Sequence, residues 1–272
     1  NQIYDSMVDF AKYAFNKSHA AAYAVVSYQT AWLKYYYPVE FMAALMTSVI
    51  DNPGKVSEYI YSCRQMGIKI LPPDINKGEG SFSVDGGNIR YGLAAIKSIG
   101  KPVIESIIQE RKNGGEFSNL KDFIERLSGK EVNKRTIESF IKSGAFDSLG
   151  GTRKQFMVVY VQILDQVNRE RKYSMTGQLS LFDIVSDDRK SEFDIPLPDV
   201  GEYEKETKLA FEKEVLGVYL SGHPLEDYEE KWKKNISRTT LDFQIDDETG
   251  RTKVHDGAKE IVGGMITNKT FK

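Results

Sequence analysis

Lys97-Ser98-Ile99-Gly100-Lys101-Pro102 sets two lysines about a short turn and then opens a helix. Pro102 suits a first helical turn, where its missing N–H costs nothing. The start of a helix leaves several backbone N–H groups unpaired, and the helix dipole favours an anion there. The chemistry that fits is phosphate binding, with amides from Ser98, Ile99 and Gly100 and charge from Lys97 and Lys101. A second helix, turn, helix unit runs from Asn133 to Lys142, across residues 143–151 with Gly144 near its start, into a helix opened by Thr152-Arg153-Lys154. Two such turns can hold two phosphates of one duplex backbone without reading bases. The plainer alternative is a helical bundle whose glycines only cap helices.

Two further patterns could bind ligands. Asn16-Lys17-Ser18-His19 precedes a long Ala/Tyr-rich helix and offers an ammonium, a hydroxyl and an imidazole at its start, which suits a phosphate. Simple capping by Asn16 or Ser18 explains the same residues. Gln178-Leu179-Ser180-Leu181-Phe182 puts three large apolar side chains in a stretch of turn residues and charges. An extended peptide filling an apolar pocket on a partner accounts for them, and so does docking onto this chain's own core.

Catalytic patterns are missing. The three histidines, His19, His223 and His255, show no metal-ligand spacing. Asp187-Asp188 and Asp246-Asp247 are adjacent pairs in polar stretches, poorly suited to a two-metal clamp. Neither glycine-rich nucleotide fingerprint occurs. The expectation is a chain without a catalytic or metal site of its own.

Charge supports the phosphate reading. The whole chain of 272 residues is nearly neutral at −2, yet residues 89–172 hold 16 basic and 10 acidic groups, a net +6. Residues 173–247 hold 9 and 18, a net −9. A positive block beside a negative one suggests a polyanion-binding module next to a segment that avoids polyanions. The single cysteine, Cys63, excludes a disulfide framework and suits a reducing cytosol. No apolar run approaches the roughly 18 residues of a membrane span, so no membrane contact is expected.

The elements that must position these residues follow from period and punctuation. Helices are expected over 5–50 with a break at Pro38, and over 55–66 up to Gly67. Residues 68–71 read as a strand, and 81–84 with 88–91 as a hairpin about Asp85-Gly86-Gly87. Short helices then recur at about 93–98, 101–112, 119–127, 133–142 and 152–172. Residues 173–200 read as a linker, 203–216 as a helix, and 260–266 as a first strand of a β-domain.

Taken together these residues resemble the alpha subunits of bacterial DNA polymerase III, the C-family replicative polymerases. The resemblance lies in Phe15-Asn16-Lys17-Ser18-His19-Ala20-Ala21-Ala22-Tyr23, Ser27-Tyr28-Gln29-Thr30-Ala31-Trp32-Leu33-Lys34 and Tyr37-Pro38-Val39-Glu40-Phe41-Met42-Ala43-Ala44. It continues in Leu71-Pro72-Pro73-Asp74-Ile75-Asn76, Ser143-Gly144-Ala145-Phe146-Asp147 and Glu214-Val215-Leu216-Gly217-Val218-Tyr219-Leu220-Ser221-Gly222-His223-Pro224-Leu225.

The resemblance implies a mainly α fold with small β elements. Residues 1–88 would be late fingers with a β-hairpin, and 89–172 a tandem helix-hairpin-helix domain for duplex DNA. Residues 173–200 would be an acidic linker carrying the clamp-binding motif at Gln178 to Phe182, 201–257 a helical connector, and 258–272 the start of an OB-like domain. It places Asn16, Lys17, Ser18 and His19 near the incoming nucleotide. Primer-template duplex would be contacted by Lys97, Ser98, Ile99, Gly100, Lys101, Lys142, Gly144, Arg153 and Lys154. The implied partners are duplex DNA, the sliding clamp and other holoenzyme subunits in a bacterial cytoplasm. Magnesium belongs to a palm upstream, so this fragment is expected to hold no cofactor and to be inactive alone as a polymerase. Ser98 stands where the family often has Gly, and a positive φ there would strain the turn. Two other classes remain open: the helix-hairpin-helix region of a repair enzyme, and a protein-interaction module without DNA contact.

Overall fold

The computed structural model describes residues 2–12, 17–127, 129, 132–175, 195–245, 252–266 and 270. Helix α1 spans Gln2–Lys12 and α2 Lys17–Tyr36. Pro38 ends the run as expected and takes a first-turn position in α3, Pro38–Ser48. Helix α4, Pro53–Gln65, starts with Asn52 accepting the Lys55 N–H at 3.1 Å and stops before Gly67, whose φ is +74°. Helix α2 leaves Tyr23, Val25, Val26, Tyr28, Leu33 and Tyr35 exposed.

Strands β1 (Ile70–Leu71), β2 (Ser83–Asp85) and β3 (Asn88–Arg90) form one sheet in the order β1-β3-β2. β2 and β3 are the expected hairpin, with Val84 opposite Ile89. Gly86 and Gly87 turn it with φ of +57° and +80°, the geometry whose twist matches the strands. β1 pairs β3 in parallel, Ile70 against Ile89. That pairing was not expected, because a parallel partner 19 residues away leaves no local signature.

Beyond the sheet the expected helix over 93–98 is only a 3₁₀ turn at Leu93–Ala95, since Ile96 is extended and Ser98 has a φ of +70°. Helices α5 (Lys101–Gly114), α6 (Leu120–Arg126), α7 (Lys134–Ser143) and α8 (Arg153–Met175) follow, then α9 (Lys205–Leu216) and α10 (Glu229–Asn235). The fold is mainly α with a small three-stranded sheet.

One apolar core runs through these elements. It joins Met42 and Met46 of α3, Ile89 and Tyr91 beside the sheet, the helical domain, and Val215 and Leu216 of α9. Phe117, Phe123, Phe140, Phe146 and Phe156 stack mostly edge to face, with centroids 4.9 to 6.4 Å apart. The Tyr91 hydroxyl donates to the Leu216 carbonyl at 3.2 Å. Asn76 pairs with the Phe117 backbone in both directions, at 2.8 and 2.9 Å, and the Ile75 N–H donates to Ala145 O at 2.9 Å. These bonds tie the segments that follow β1 and β3 to the helical domain and to α9. Cys63 lies inside this core, where burial pushes its thiol up to about 11 and leaves it protonated at neutral pH.

The strand expected over 260–266 is not formed. Residues 260–266 pair with no strand among the described residues; Ile261 exchanges hydrogen bonds with Ser237 instead, at 2.9 Å and 2.8 Å. A strand exists only where a neighbouring ladder satisfies its backbone.

Candidate nucleic-acid interface

The first turn leaves amides open at the start of α5. Gly100, in extended conformation, caps α5 without a side-chain acceptor, and its carbonyl takes the Val103 and Ile104 N–H groups at 3.1 and 3.3 Å. The amides of Ser98, Gly100 and Lys101 have no acceptor among the described residues. Lys101 is exposed and has no ion-pair partner among them. The turn is held from behind: Ile96 is buried, Ile99 is half-buried, and the Lys97 N–H donates to Val215 O at 2.8 Å.

Ser98 is the one described non-glycine residue with positive φ, at +70°. A left-handed backbone costs an L-residue about 1–2 kcal/mol, while glycine loses more freedom on folding. Ser98→Gly should therefore raise stability by about 0.5–1 kcal/mol, read as a higher urea midpoint at unchanged slope. A lower midpoint would show that the seryl side chain supports the turn.

The second unit departs from expectation. In the connection from α7 to α8 the amides at both helix ends are occupied, and amides without an acceptor among the described residues, including those of Ser148, Gly150 and Gly151, lie between them. Gly144, at φ +83°, closes α7 through the Ala145 N–H to Phe140 O, 3.0 Å, and is buried. A Cβ on Gly144 would lie 2.2 Å from Nη2 of Arg153. Arg153 is itself only 4% exposed. Its guanidinium donates to Asp147 at 3.0 and 2.8 Å, to Glu212 at 3.4 Å and to the Lys142 carbonyl at 3.3 Å. Burial disfavours the charge, but hydrogen bonds and charges from Asp147 and Glu212 outweigh it and raise the guanidinium's pKa.

The amides that start α8 are also occupied. The N–H groups of Arg153 and Lys154 both donate to the Glu202 carboxylate at 3.2 Å, an internal anion where a phosphate was expected. Gly144 and Arg153 are thus structural, and only the half-buried side chain of Lys154 remains near the surface. The acids responsible lie 6, 59 and 48–49 residues from their donors, beyond any local pattern.

Cations stand instead at the start of α7. Between α6 and α7 lies Gly129, at φ +82°, and Asn133 caps α7 by accepting the Thr136 N–H at 3.1 Å. Lys134 and Arg135 stand exposed on the first turn of α7. Lys134 lies 3.5 Å from Asp165, whereas Arg135 has no ion-pair partner among the described residues. The signal that could have found it was present: the Ser128-Gly129-Lys130 break between two expected helices, followed by Lys134-Arg135.

The first turn and α7 meet. A polar hollow of about 350 Å³ is lined by Lys97, Ser98, Arg135, Glu138, Ser139, Lys142, Glu214 and Val215. Residues 40 or so positions apart in sequence thus share one cationic surface. Lys142 lies between Glu138 and Glu214, 2.8 Å from each.

The remaining expected sites are less defined. Asn16 and the whole of Gln178, Leu179, Ser180, Leu181 and Phe182 lie outside the described residues. Lys17 opens α2, and Ser18 and His19 are exposed in its first turn, with the His19 ring 4.4 Å from that of Tyr23. Among the described residues no three His, Cys, Asp or Glu side chains converge as a metal site would need. No described helix is long and apolar enough to cross a membrane.

Residues 67–156, from the end of α4 to the start of α8, match the helix-hairpin-helix motif family. The DNA polymerase III subunit alpha of Mycobacterium tuberculosis strain H37Rv is 44% identical over 226 residues, 82% of this chain and 19% of that protein. The corresponding subunit of Vibrio cholerae is 43% identical over 237 residues, 87% of this chain and 20% of that protein. That of Escherichia coli K12 is 39% identical over 269 residues, 98% of this chain and 23% of that protein. The chain spans about a fifth of the length of these curated relatives. Aligned almost end to end with one stretch of those proteins, around a helix-hairpin-helix core, the chain belongs to the DNA polymerase III alpha-subunit family.

Proposed function

We propose that this segment holds primer-template duplex by its backbone phosphates, as one part of a DNA-directed DNA polymerase. The observation that carries it is the first turn: the amides of Ser98, Gly100 and Lys101 and the Lys101 ammonium have no partner among the described residues, and the turn adjoins Lys97, Arg135 and Lys142. Amides and ammonium groups contact phosphate without sequence information. Two attachments complete the reading: Gln178 to Phe182 tether the polymerase to the sliding clamp, and Asn16 to His19 approach the incoming nucleotide. No step of nucleotide transfer is assigned to the described residues.

Duplex affinity should be independent of sequence and fall steeply with salt, because binding releases counterions. Lys97→Ala with Lys101→Ala should weaken binding to all duplexes alike and lower the salt slope by about 0.9 for each phosphate no longer neutralised. Fluorescence anisotropy with two unrelated duplexes over a salt series measures both. A double variant binding as tightly as the parent at low salt would remove the first turn from the interface. Absence of any duplex binding by the parent would favour a protein-interaction role.

A further inference from the structure

Helix α9 lays its last turn along the cations of the hollow. The Glu214 carboxylate accepts from Lys142 Nζ at 2.8 Å, and the Glu214 main-chain carbonyl accepts from Lys97 Nζ at 3.0 Å. Glu138, four residues before Lys142 on α7, holds the same ammonium at 2.8 Å. The Lys142 side chain is 14% exposed and that of Glu214 is 57% exposed. At the mouth of the hollow an approaching phosphate therefore meets a carboxylate before it meets that lysine. Lys97, Arg135 and Lys142 against Glu138 and Glu214 leave the hollow with one net positive charge.

We propose that Glu214 is an internal competitor for DNA phosphate: it occupies Lys142 and holds duplex affinity below what the surrounding cations would give alone. The inference rests on duplex binding through the first turn, proposed above. Carboxylate and phosphate are both anions seeking the same ammonium, and each repels the other at this separation. The Glu214 contact is exchangeable, because a carboxylate more than half exposed rehydrates easily when the pair opens. Lys142 stays in place meanwhile, since Glu138 holds it from the same helix. Lys97 shows the same cover by another route, its ammonium resting on the carbonyl end of α9, where the helix dipole favours a cation. The connector helix thus acts as an acidic lid over a basic patch that its own carbonyls help to assemble.

The test compares the full 272-residue chain with five variants by anisotropy over a salt series, after each is shown to melt as the parent does. Glu214→Gln keeps the shape and removes the charge. It should bind duplex about three- to tenfold tighter at low salt, with a slope steeper by about 0.9, one further phosphate being neutralised. Glu206→Gln, the same change of charge in the first turn of α9, should alter affinity by less than about twofold, as expected of a screened distant charge. Lys142→Ala should abolish the gain when combined with Glu214→Gln. Unchanged or weaker binding by Glu214→Gln overturns the proposal, as does an equal gain in the Lys142→Ala background. If Lys97→Ala with Lys101→Ala still weakens binding in that case, the duplex reading stands without the lid; a parent that binds no duplex overturns both.

Discussion

Replacing Leu181 and Phe182 by alanine is expected to abolish binding of the chain to the bacterial sliding clamp while leaving duplex affinity within about twofold. The two residues are neighbours, so an extended backbone alone would aim them at opposite faces. Entering one pocket together requires a local turn, which the nearby Gly177 and Asp183 permit. Leu and Phe then anchor, while the Gln178 amide fixes orientation. Burying each large apolar side chain contributes roughly 1.5–3 kcal/mol. Losing both removes roughly 3–6 kcal/mol, which is about 10²- to 10⁴-fold in affinity. Ordering the segment on binding offsets part of the gross gain, so the parent affinity itself should be modest and the tether exchangeable. Duplex affinity is spared because the anchor lies in a segment of net negative charge, outside the basic block. Calorimetric titration of the clamp with a peptide of residues 174–186, parent and doubly substituted, measures the effect. Equal binding by both would sink the tether and favour docking of this segment on the chain's own core.

Local backbone constraints were legible in the residues, and distant partners were not. Pro38 and Pro102 restrict φ and remove a donor, Gly67 and the Gly86-Gly87 pair admit positive φ, and each stands where an element starts, stops or turns. Ser98 was legible in the same way: the positive φ considered for that turn is present, at +70°. The α7 to α8 connection failed because a glycine between two helices looks the same whether it frees amides or caps a buried end. What separates the cases is the company: Glu202 on the α8 amides, Asp147 and Glu212 on Arg153. None of these pairs follows a helical or strand period. The parallel partner of β3 was invisible for the same reason. The cationic patch was half legible, since net charge pointed to the block but not to the meeting of Lys97 with Arg135 and Lys142.

Arg153 separates a structural role from a DNA role most sharply. Arg153→Met should lower the stability of the chain by about 3–5 kcal/mol, the usual loss when one partner of a buried ion pair is removed. The loss falls on Glu212, whose side chain is 1% exposed. Without the guanidinium it keeps only the Leu220 and Ser221 N–H donors, at 2.9 and 3.0 Å, and its charge is uncompensated. Asp147 contributes little to the penalty, because its side chain is 46% exposed and rehydrates. Two consequences follow from that asymmetry. Glu212→Gln in the Arg153→Met background should restore roughly half of the lost stability, since it removes the buried charge and keeps an acceptor for both amides. Asp147→Asn in the same background should restore almost none. Urea denaturation followed by far-ultraviolet circular dichroism reads all three variants. If Arg153 instead bound phosphate, Arg153→Met would leave the midpoint near that of the parent and lower the salt slope of duplex binding by about 0.9. The buried pair joins the start of α8 to the middle of α9, so the same substitution also reports how tightly the connector is held against the helical domain.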